Sequence, residues 1–316
     1  MNDLGFFTSL EDEPQIQYLN DSLYEEFQVE VAIKREDQID TYVSGNKFRK
    51  LKYNVLEAAK QQHHTLLTFG GAYSNHIAAV AKAGSLSGFK TIGVIRGEEL
   101  AQNFRETLQH NPTLRFAQDC GMQFKFVSRE VYREKLQPQF LQQLKDEFGT
   151  FYLIPEGGTN TLAVQGCAEI LSEATQDFDY IACPVGTGGT IAGIIEGSFP
   201  HQKILGFPAL KGDFLNAEIK KYTDKTNWEL VNAYHFGGYA KVNQELVTFI
   251  NDFKKKHDIL LDPVYTGKMM FGLRDLIRNE FFSKNTRILA VHTGGLQGIA
   301  GMNQKLLKKG FPLIRM

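Results

Sequence analysis

Short apolar segments alternate with helical segments along this chain, and several of the apolar segments end in glycine. TLLTFGG (65–71), YIACPV (180–185) and RILAVHTGG (287–295) are typical of buried strands, and segments with helical spacing lie between them. This alternation predicts an α/β protein with open, mostly parallel sheets flanked by helices. Because ligands bind at the carboxyl ends of strands in such sheets, we expect a site in the loops at those ends.

The remaining elements follow the same pattern. The length of 316 residues favours two domains, and the lack of a low-complexity linker indicates that they pack closely. We expect further strands within 29–37, 91–97, 123–128, 151–158 and 203–210, and helices after Lys47, over 74–88, from 129 to about 147, and over 160–175.

Composition excludes several classes of function. The 35 Lys and Arg residues balance 36 Asp and Glu residues, which argues against binding to nucleic acid or to an anionic membrane. No apolar run approaches the length of a membrane span, and the first residues lack the pattern of a secretory signal. Cys120, Cys167 and Cys183 lie far apart, and no histidine or cysteine spacing indicates a metal site. A reduced, cytoplasmic setting is expected.

The segment SGNKFRKLKYN (44–54) places Lys47 behind a Ser-Gly-Asn turn, at the start of a predicted helix. A cation is electrostatically unfavourable at this end of a helix. Lys47 is therefore either an ordinary surface lysine or an amine whose charged form is disfavoured, which makes it a nucleophile towards a carbonyl.

A glycine-rich turn, PVGTGGTIAG (184–193), follows a predicted strand and opens a helix. Its glycines allow backbone N–H groups to converge on an anion at the helix start. The spacing matches neither a dinucleotide fingerprint nor a P-loop, so a phosphate monoester fits better. The turn residues are Gly186, Thr187, Gly188, Gly189 and Thr190.

A second polar loop, GGAYSNH (70–76), lies at another strand end, where Ser74 and Asn75 are either site residues or helix caps. A lysine amine, a phosphate-binding turn and polar strand-end loops are together the requirements of a pyridoxal-phosphate site. The aldehyde needs the amine, and the phosphate needs the N–H groups.

The segments KRED, SGNKFRKLKYN, TFGGAYSNH, PVGTGGTIAG, DPVYTGKMMFG and VHTGG together resemble the D-cysteine desulfhydrase and 1-aminocyclopropane-1-carboxylate (ACC) deaminase family. The resemblance extends from residue 32 to 295. It implies the tryptophan synthase β-like fold of fold-type II pyridoxal-phosphate enzymes. It also implies a large cofactor domain over 1–50 and 158–316, a small domain over 51–157, and a homodimer.

The resemblance also implies roles for individual residues. Lys47 corresponds to the lysine that forms a Schiff base with the cofactor, and Ser74 to a serine that shares in proton transfer near the substrate carboxylate. The resemblance further implies cofactor contacts from Lys50, Asn75, Gly186, Thr187, Gly188, Gly189 and Thr190, substrate contacts from Ser74, Asn75 and His76, and two active-site tyrosines, Tyr239 and Tyr265.

Two positions distinguish the subfamilies. True ACC deaminases carry Glu and Leu where this chain has Thr266 and Thr293, both of which we expect beside the cofactor. A carboxylate keeps the pyridine ring protonated more strongly than a hydroxyl, and opening a cyclopropane needs that stronger electron sink. The threonines therefore favour β-elimination from a small amino acid, with D-cysteine converted to pyruvate, sulfide and ammonia. The alternatives are ACC deaminase, a D-serine-type dehydratase, a non-catalytic pyridoxal-phosphate carrier and a nucleotide-binding regulator. The loop before Lys47 is short, and Ser44 replaces a glycine usual in the family.

Overall fold

The computed structural model describes residues 3–9 and 13–316. Its strands are β1 (Ile16–Tyr18), β2 (Glu30–Lys34), β3 (Thr65–Gly71), β4 (Lys90–Arg96), β5 (Gln123–Val127), β6 (Tyr152–Ile154), β7 (Tyr180–Val185), β8 (Lys203–Pro208), β9 (Trp228–Leu230) and β10 (Arg287–Val291). Its α-helices are α1 (Gly5–Thr8), α2 (Ser22–Glu26), α3 (Asn46–Lys60), α4 (Asn75–Ser87), α5 (Glu99–Gln102), α6 (Phe104–His110), α7 (Pro112–Asp119), α8 (Arg129–Arg133), α9 (Pro138–Phe148), α10 (Thr161–Ala168), α11 (Gly189–Gly197), α12 (Phe214–Lys220), α13 (Gln244–His257), α14 (Thr266–Arg278) and α15 (Gly298–Lys308). Short 3₁₀ segments occupy Glu36–Gln38, Glu156–Gly158, Glu173–Thr175 and Asn232–Tyr234.

The chain forms two compact units. The larger unit contains residues 13–50 and 160–316, and the smaller contains residues 3–9 and 51–159. Each unit has its own sheet. The assignment of the cofactor to a domain of residues 1–50 and 158–316 stays a prediction.

In the described part of the larger unit, the sheet has the strand order β1-β2-β10-β7-β8-β9. β1 pairs antiparallel with β2, and every other neighbouring pair is parallel. The carboxyl ends of β2, β10 and β7 therefore share one edge. The loops that follow these strands begin at Arg35, His292 and Gly186.

Both faces of this sheet are covered. Along β10, Ile288 and Ala290 pack into one hydrophobic cluster, whereas Leu289 and Val291 pack into another. Successive side chains of a strand point to opposite faces, so a strand buried on both sides needs a continuous apolar run. This is why the central strands were visible as apolar segments in the sequence.

The smaller unit contains a parallel sheet of order β5-β4-β3-β6 within the described residues. Leu67 and Phe69 of β3 and Ile92 and Val94 of β4 contribute to one hydrophobic cluster. Helix α4 follows β3 and is mostly buried, which agrees with its alanines. Two mostly parallel sheets flanked by helices confirm the predicted fold class.

The predicted boundaries of two helices were wrong. The helix expected over 160–175 ends at Ala168, because Ser172 and Thr175 exchange hydrogen bonds that close a separate 3₁₀ turn. The helix expected up to about 147 is two helices, α8 and α9, and the second begins at Pro138, which favours a helix start. Across residues 3–9 and 13–316, no helix is long and apolar enough to cross a membrane.

Candidate active site

The first turn of α3 lies against the loops that follow β7 and β10. Gly45 has a φ of +56°, and its N–H donates to the carbonyl oxygen of Glu36 over 2.8 Å. A Cβ at Gly45 would lie 2.2 Å from the carbonyl oxygen of Thr293. Glycine is therefore needed here both for the backbone conformation and for the close approach.

Lys47 extends from this turn and is only partly exposed. Its Nζ donates to Oδ1 of Asn46 over 3.4 Å. Burial, and to a lesser degree the positive charge of Lys50, lowers the pKa of the Lys47 amine to about 7. A substantial share of the amine is therefore neutral near pH 7, and the neutral form can attack a carbonyl or accept a proton.

The side chains of α3 also reach the glycine-rich turn. Lys50 is 2% exposed, and its Nζ donates to Oγ1 of Thr187 over 3.4 Å. Nδ2 of Asn46 donates to Oγ1 of Thr190 over 2.9 Å. Burial lowers the pKa of Lys50. An anion bound in this turn would favour its charged form.

The turn itself runs from Gly186 into α11. Gly188 has a φ of +87° and is the N-cap residue of α11. Glycine readily adopts this left-handed backbone, and the first N–H groups of the helix that follows can bind an anion. A Cβ at Gly186 would lie 3.1 Å from Cε1 of Tyr265 and 3.3 Å from its hydroxyl oxygen, so the Tyr265 ring packs on the turn.

The two predicted active-site tyrosines are neighbours. The rings of Tyr239 and Tyr265 lie 6.3 Å apart, edge to face, and Tyr239 is 53% exposed. Burial, together with Tyr239, raises the pKa of the Tyr265 phenol well above 10. The phenol is therefore protonated at neutral pH and can donate a hydrogen bond.

Asp262 fixes the start of α14. Its carboxylate accepts hydrogen bonds from the N–H groups of Val264, Tyr265 and Thr266 over 2.8, 3.0 and 2.8 Å, and from the Thr266 hydroxyl over 2.9 Å. Thr266 is fully buried, and its oxygen also accepts from the Asp262 N–H over 2.9 Å. The Thr266 proton is thus committed to Asp262, so the predicted cofactor contact of Thr266 could only be that of an acceptor.

Thr293 follows β10 and is 7% exposed. The preceding His292 accepts from the Gly294 N–H at Nδ1 over 3.2 Å, so its Nε2 carries the hydrogen and donates to the carbonyl oxygen of Leu260 over 2.7 Å. These bonds fix the turn that carries Thr293. The larger unit thus joins Lys47, Lys50, the glycine turn, Tyr265, Tyr239 and Thr293 through a continuous series of contacts.

Ser74, Asn75 and His76 lie in the smaller unit, at the start of α4. Ser74 is the N-cap residue, and its hydroxyl oxygen accepts from the Ile77 N–H over 3.4 Å. The Thr68 hydroxyl donates to the Ile154 carbonyl over 2.8 Å and lies 2.9 Å from Nε2 of His76, so Nε2 of His76 donates to Thr68. His76 is 3% exposed and ties α4 to its sheet. The predicted roles of these three residues in substrate or cofactor binding stay predictions.

The family model described as "Pyridoxal-phosphate dependent enzyme" matches residues 14–294. This chain belongs to the pyridoxal-phosphate dependent enzymes. A protein of Thermotoga maritima, named provisionally as a 1-aminocyclopropane-1-carboxylate deaminase, is 32% identical over 92% of this chain and 96% of its own. An Arabidopsis thaliana protein, named as a mitochondrial bifunctional D-cysteine desulfhydrase/1-aminocyclopropane-1-carboxylate deaminase, is 30% identical over 85% of this chain and 73% of its own.

A crystal structure titled as that of an ACC deaminase homologue superposes with a TM-score of 0.81 at 28% identity. It covers 96% of this chain and 98% of that one. The resemblance stated from the motifs is therefore confirmed, as is pyridoxal phosphate as the cofactor. The relatives carry both enzyme names, so membership of the family leaves the substrate open.

The larger unit of this pyridoxal-phosphate enzyme has the donor set that the cofactor needs. Lys47 supplies a partly buried amine of lowered pKa, which suits an aldehyde. The turn at Gly188 and the cation of Lys50 suit a phosphate. Among the described residues, no cluster of His, Cys, Asp and Glu side chains is arranged to hold a metal ion.

Several residues that shape this region were missed from the sequence. Arg49 donates twice to the Glu36 carboxylate over 2.9 Å, and both side chains are buried beside the start of α3. Asp262 and Lys268 lie within the segment DPVYTGKMMFG, and the sequence pattern predicts no role for either. The spacing of Asp262 before Thr266 could have indicated a helix cap. No local signal reveals Lys268, whose partners are distant in sequence.

Proposed function

We propose that this enzyme is a D-cysteine desulfhydrase, which converts D-cysteine and water to pyruvate, sulfide and ammonia. The observation that carries the proposal is the hydrogen-bonding state of Thr266. ACC deaminases of the family carry a glutamate at this position, whereas here the nearby Asp262 carboxylate accepts from four donors, one of which is the Thr266 hydroxyl. A weaker electron sink suits the loss of a good leaving group such as thiolate.

The chain's own residues would bind the cofactor and accept the α-proton of the substrate. When bound, pyridoxal phosphate supplies an aldehyde that condenses with amino groups and a ring that delocalises the electron pair left at the substrate α-carbon. Lys50 and the N–H groups of the glycine turn hold the phosphate. Lys47 accepts the α-proton on its neutral amine, which its lowered pKa makes available.

The Tyr265 phenol stays protonated, because burial raises its pKa, and it is therefore available as a hydrogen-bond donor in the site. Its contact with Gly186 places that phenol beside the phosphate-binding turn. The C–S bond of the substrate breaks as thiolate leaves the β-carbon. Water then releases ammonia from the remaining three-carbon unit to give pyruvate.

Product analysis tests this proposal. Purified, cofactor-loaded protein is given D-cysteine, L-cysteine, D-serine or ACC, and sulfide, pyruvate and 2-oxobutyrate are measured. We expect equal amounts of sulfide and pyruvate from D-cysteine, and little 2-oxobutyrate from ACC. Lys47→Ala should abolish turnover, whereas Lys60→Ala should retain it, because Lys60 lies on the same helix with an exposed side chain. Faster release of 2-oxobutyrate from ACC than of sulfide from D-cysteine would contradict the proposal.

ACC deaminase is the second candidate. It is favoured by the names of the Thermotoga maritima and Arabidopsis thaliana relatives. The same product analysis separates the two, since ACC yields 2-oxobutyrate and ammonia without sulfide.

A further inference from the structure

Lys268 is a buried lysine in the first turn of α14, three residues after Tyr265. It is 1% exposed, and its Nζ donates to the carbonyl oxygens of His235 and Gly238, over 2.9 Å in both cases. A buried ammonium near the positive end of a helix is unfavourable without compensating contacts. Both of the carbonyl groups that stabilise this ammonium belong to the loop of residues 235–243, which carries Tyr239.

These two carbonyl groups close successive turns of that loop. The His235 oxygen also accepts from the Gly238 N–H over 3.0 Å, and the Gly238 oxygen accepts from the Lys241 N–H over 3.2 Å. Gly238 is therefore shared by both turns, and Tyr239 lies inside the second. Lys268, which lies on α14 outside the loop, therefore binds the backbone of both turns at once.

The backbone of this loop is in a conformation that needs outside support. Phe236 and Ala240 each have a φ of +53°, Gly237 of +90° and Gly238 of +118°. Left-handed conformations are unfavourable for residues with a Cβ, and two of these four have one. A loop of this kind keeps its shape only when surrounding groups fix it.

Other contacts hold the base of the loop. Tyr234 donates its hydroxyl hydrogen to Oδ2 of Asp275 over 2.7 Å, and the Phe236 ring packs edge to face on Phe271 at 5.1 Å. Both partners lie on α14, further along than Lys268. Residues 234 and 236 are thus held to α14 by their own side chains. The two turns next to Tyr239 are held to α14 through their backbone carbonyl groups, which Lys268 binds.

We propose that Lys268 is a positioning residue that holds Tyr239 against Tyr265 by fixing the two turns around Gly238. Its action on catalysis rests on the proposed function and on the expectation, from the family resemblance, that Tyr239 and Tyr265 both belong to the active site. Its action on the loop does not depend on which substrate the enzyme uses.

Hydrogen–deuterium exchange tests the structural part on the full chain, with and without cofactor. We compare wild type, Lys268→Met and Lys241→Met, which makes the same change at an exposed lysine of the same loop. We expect amides of residues 236–241 to exchange about 10-fold faster or more in Lys268→Met and to be unchanged in the control. Unchanged exchange in folded Lys268→Met would overturn the proposal.

If Lys268→Met does not fold, Gly238→Ala weakens the same two turns from the loop side. It leaves the lysine in place but disfavours the backbone at a φ of +118°, and its Cβ would meet the closest atom at 3.9 Å. Faster exchange confined to 236–241, together with a lower kcat/KM, supports the proposal that the two turns position Tyr239. Wild-type exchange and wild-type kinetics together would overturn it.

Kinetics test the action on Tyr239. We expect Lys268→Met to lower kcat/KM by about 10- to 100-fold with the cofactor absorbance retained. Combined with Tyr239→Ala, it should cause little further loss, because both changes remove the same interaction. Additive losses would show that Lys268 does not act through Tyr239. If the wild type is inactive on D-cysteine but the exchange result holds, the proposed function fails and the positioning of the loop stands.

Discussion

The close approach of Gly45 to the turn after β10 gives a quantitative prediction. In Gly45→Ala, the new Cβ would lie 2.2 Å from the carbonyl oxygen and 2.3 Å from the carbonyl carbon of Thr293. Both are backbone atoms, so a rotamer change cannot relieve the overlap. Because carbon and oxygen normally stay about 3.3 Å apart or more, either the first turn of α3 or the Thr293 turn must move by about 1 Å.

The energetic cost has two parts. An alanine held at a φ near +56° costs about 1 kcal/mol relative to glycine. Overpacking against backbone adds about 1–3 kcal/mol. Gly310→Ala is the matched control, since Gly310 has a φ of +65° with nothing within 4 Å of its Cβ position. We therefore expect a loss of about 2–4 kcal/mol in the free energy of unfolding for Gly45→Ala and of about 1 kcal/mol for Gly310→Ala.

Denaturant unfolding of the cofactor-free protein measures the stability difference, and absorbance titration measures the affinity for pyridoxal phosphate. Because Lys47 lies two residues after Gly45, a displacement of about 1 Å should also weaken cofactor binding by about 10-fold or more. The control should bind the cofactor like wild type. Equal losses of stability in the two variants, with equal cofactor affinity, would refute the steric reasoning.

Three further changes test the groups around Lys47. Arg49→Met should destabilise the protein by about 3–5 kcal/mol in denaturant unfolding, because Glu36 would remain as a buried carboxylate without this partner. Lys50→Met should raise the Kd for pyridoxal phosphate by about 10-fold in an absorbance titration, since it removes a cation beside the turn. In the cofactor-free protein, the pKa of Lys47 falls from 10.5 to about 7 on folding. Between these two pH values the unfolded chain binds more protons than the folded protein. The loss of folding stability caused by burying the Lys47 amine is therefore complete below about pH 7, and it becomes smaller as the pH rises. Any gain in Tm from Lys47→Met should therefore shrink between pH 7 and 9. A constant or growing gain would contradict this sign.

The central strands and the glycine turn could be predicted because their signals are local. β7 and β10 are buried on both faces, so their sequences are continuous apolar runs, and Gly188 needs the backbone freedom that marks it in the sequence. β1 and β9 were missed because each has only three residues with a polar one in the middle, whereas the equally short β6 lies within the apolar run FYLI.

The contacts that organise the candidate site were harder to predict, because they join residues far apart in sequence. Lys268 bonds carbonyl groups 33 and 30 residues earlier, and the partner of Arg49 lies 13 residues away. A carbonyl partner leaves no trace in residue type, since every residue has one. The commitment of the Thr266 proton to Asp262 likewise depends on how the turn closes.

The central claim is that Lys47 is the lysine that carries pyridoxal phosphate. Borohydride reduction of the cofactor-loaded protein fixes the lysine–cofactor bond, and tryptic digestion with mass spectrometry locates it. A modified Lys47 resists trypsin, so we expect the added mass on the peptide of residues 36–49, EDQIDTYVSGNKFR. An adduct on Lys50, on Lys268 or on any other lysine, or no adduct in protein that retains the cofactor, would contradict the claim.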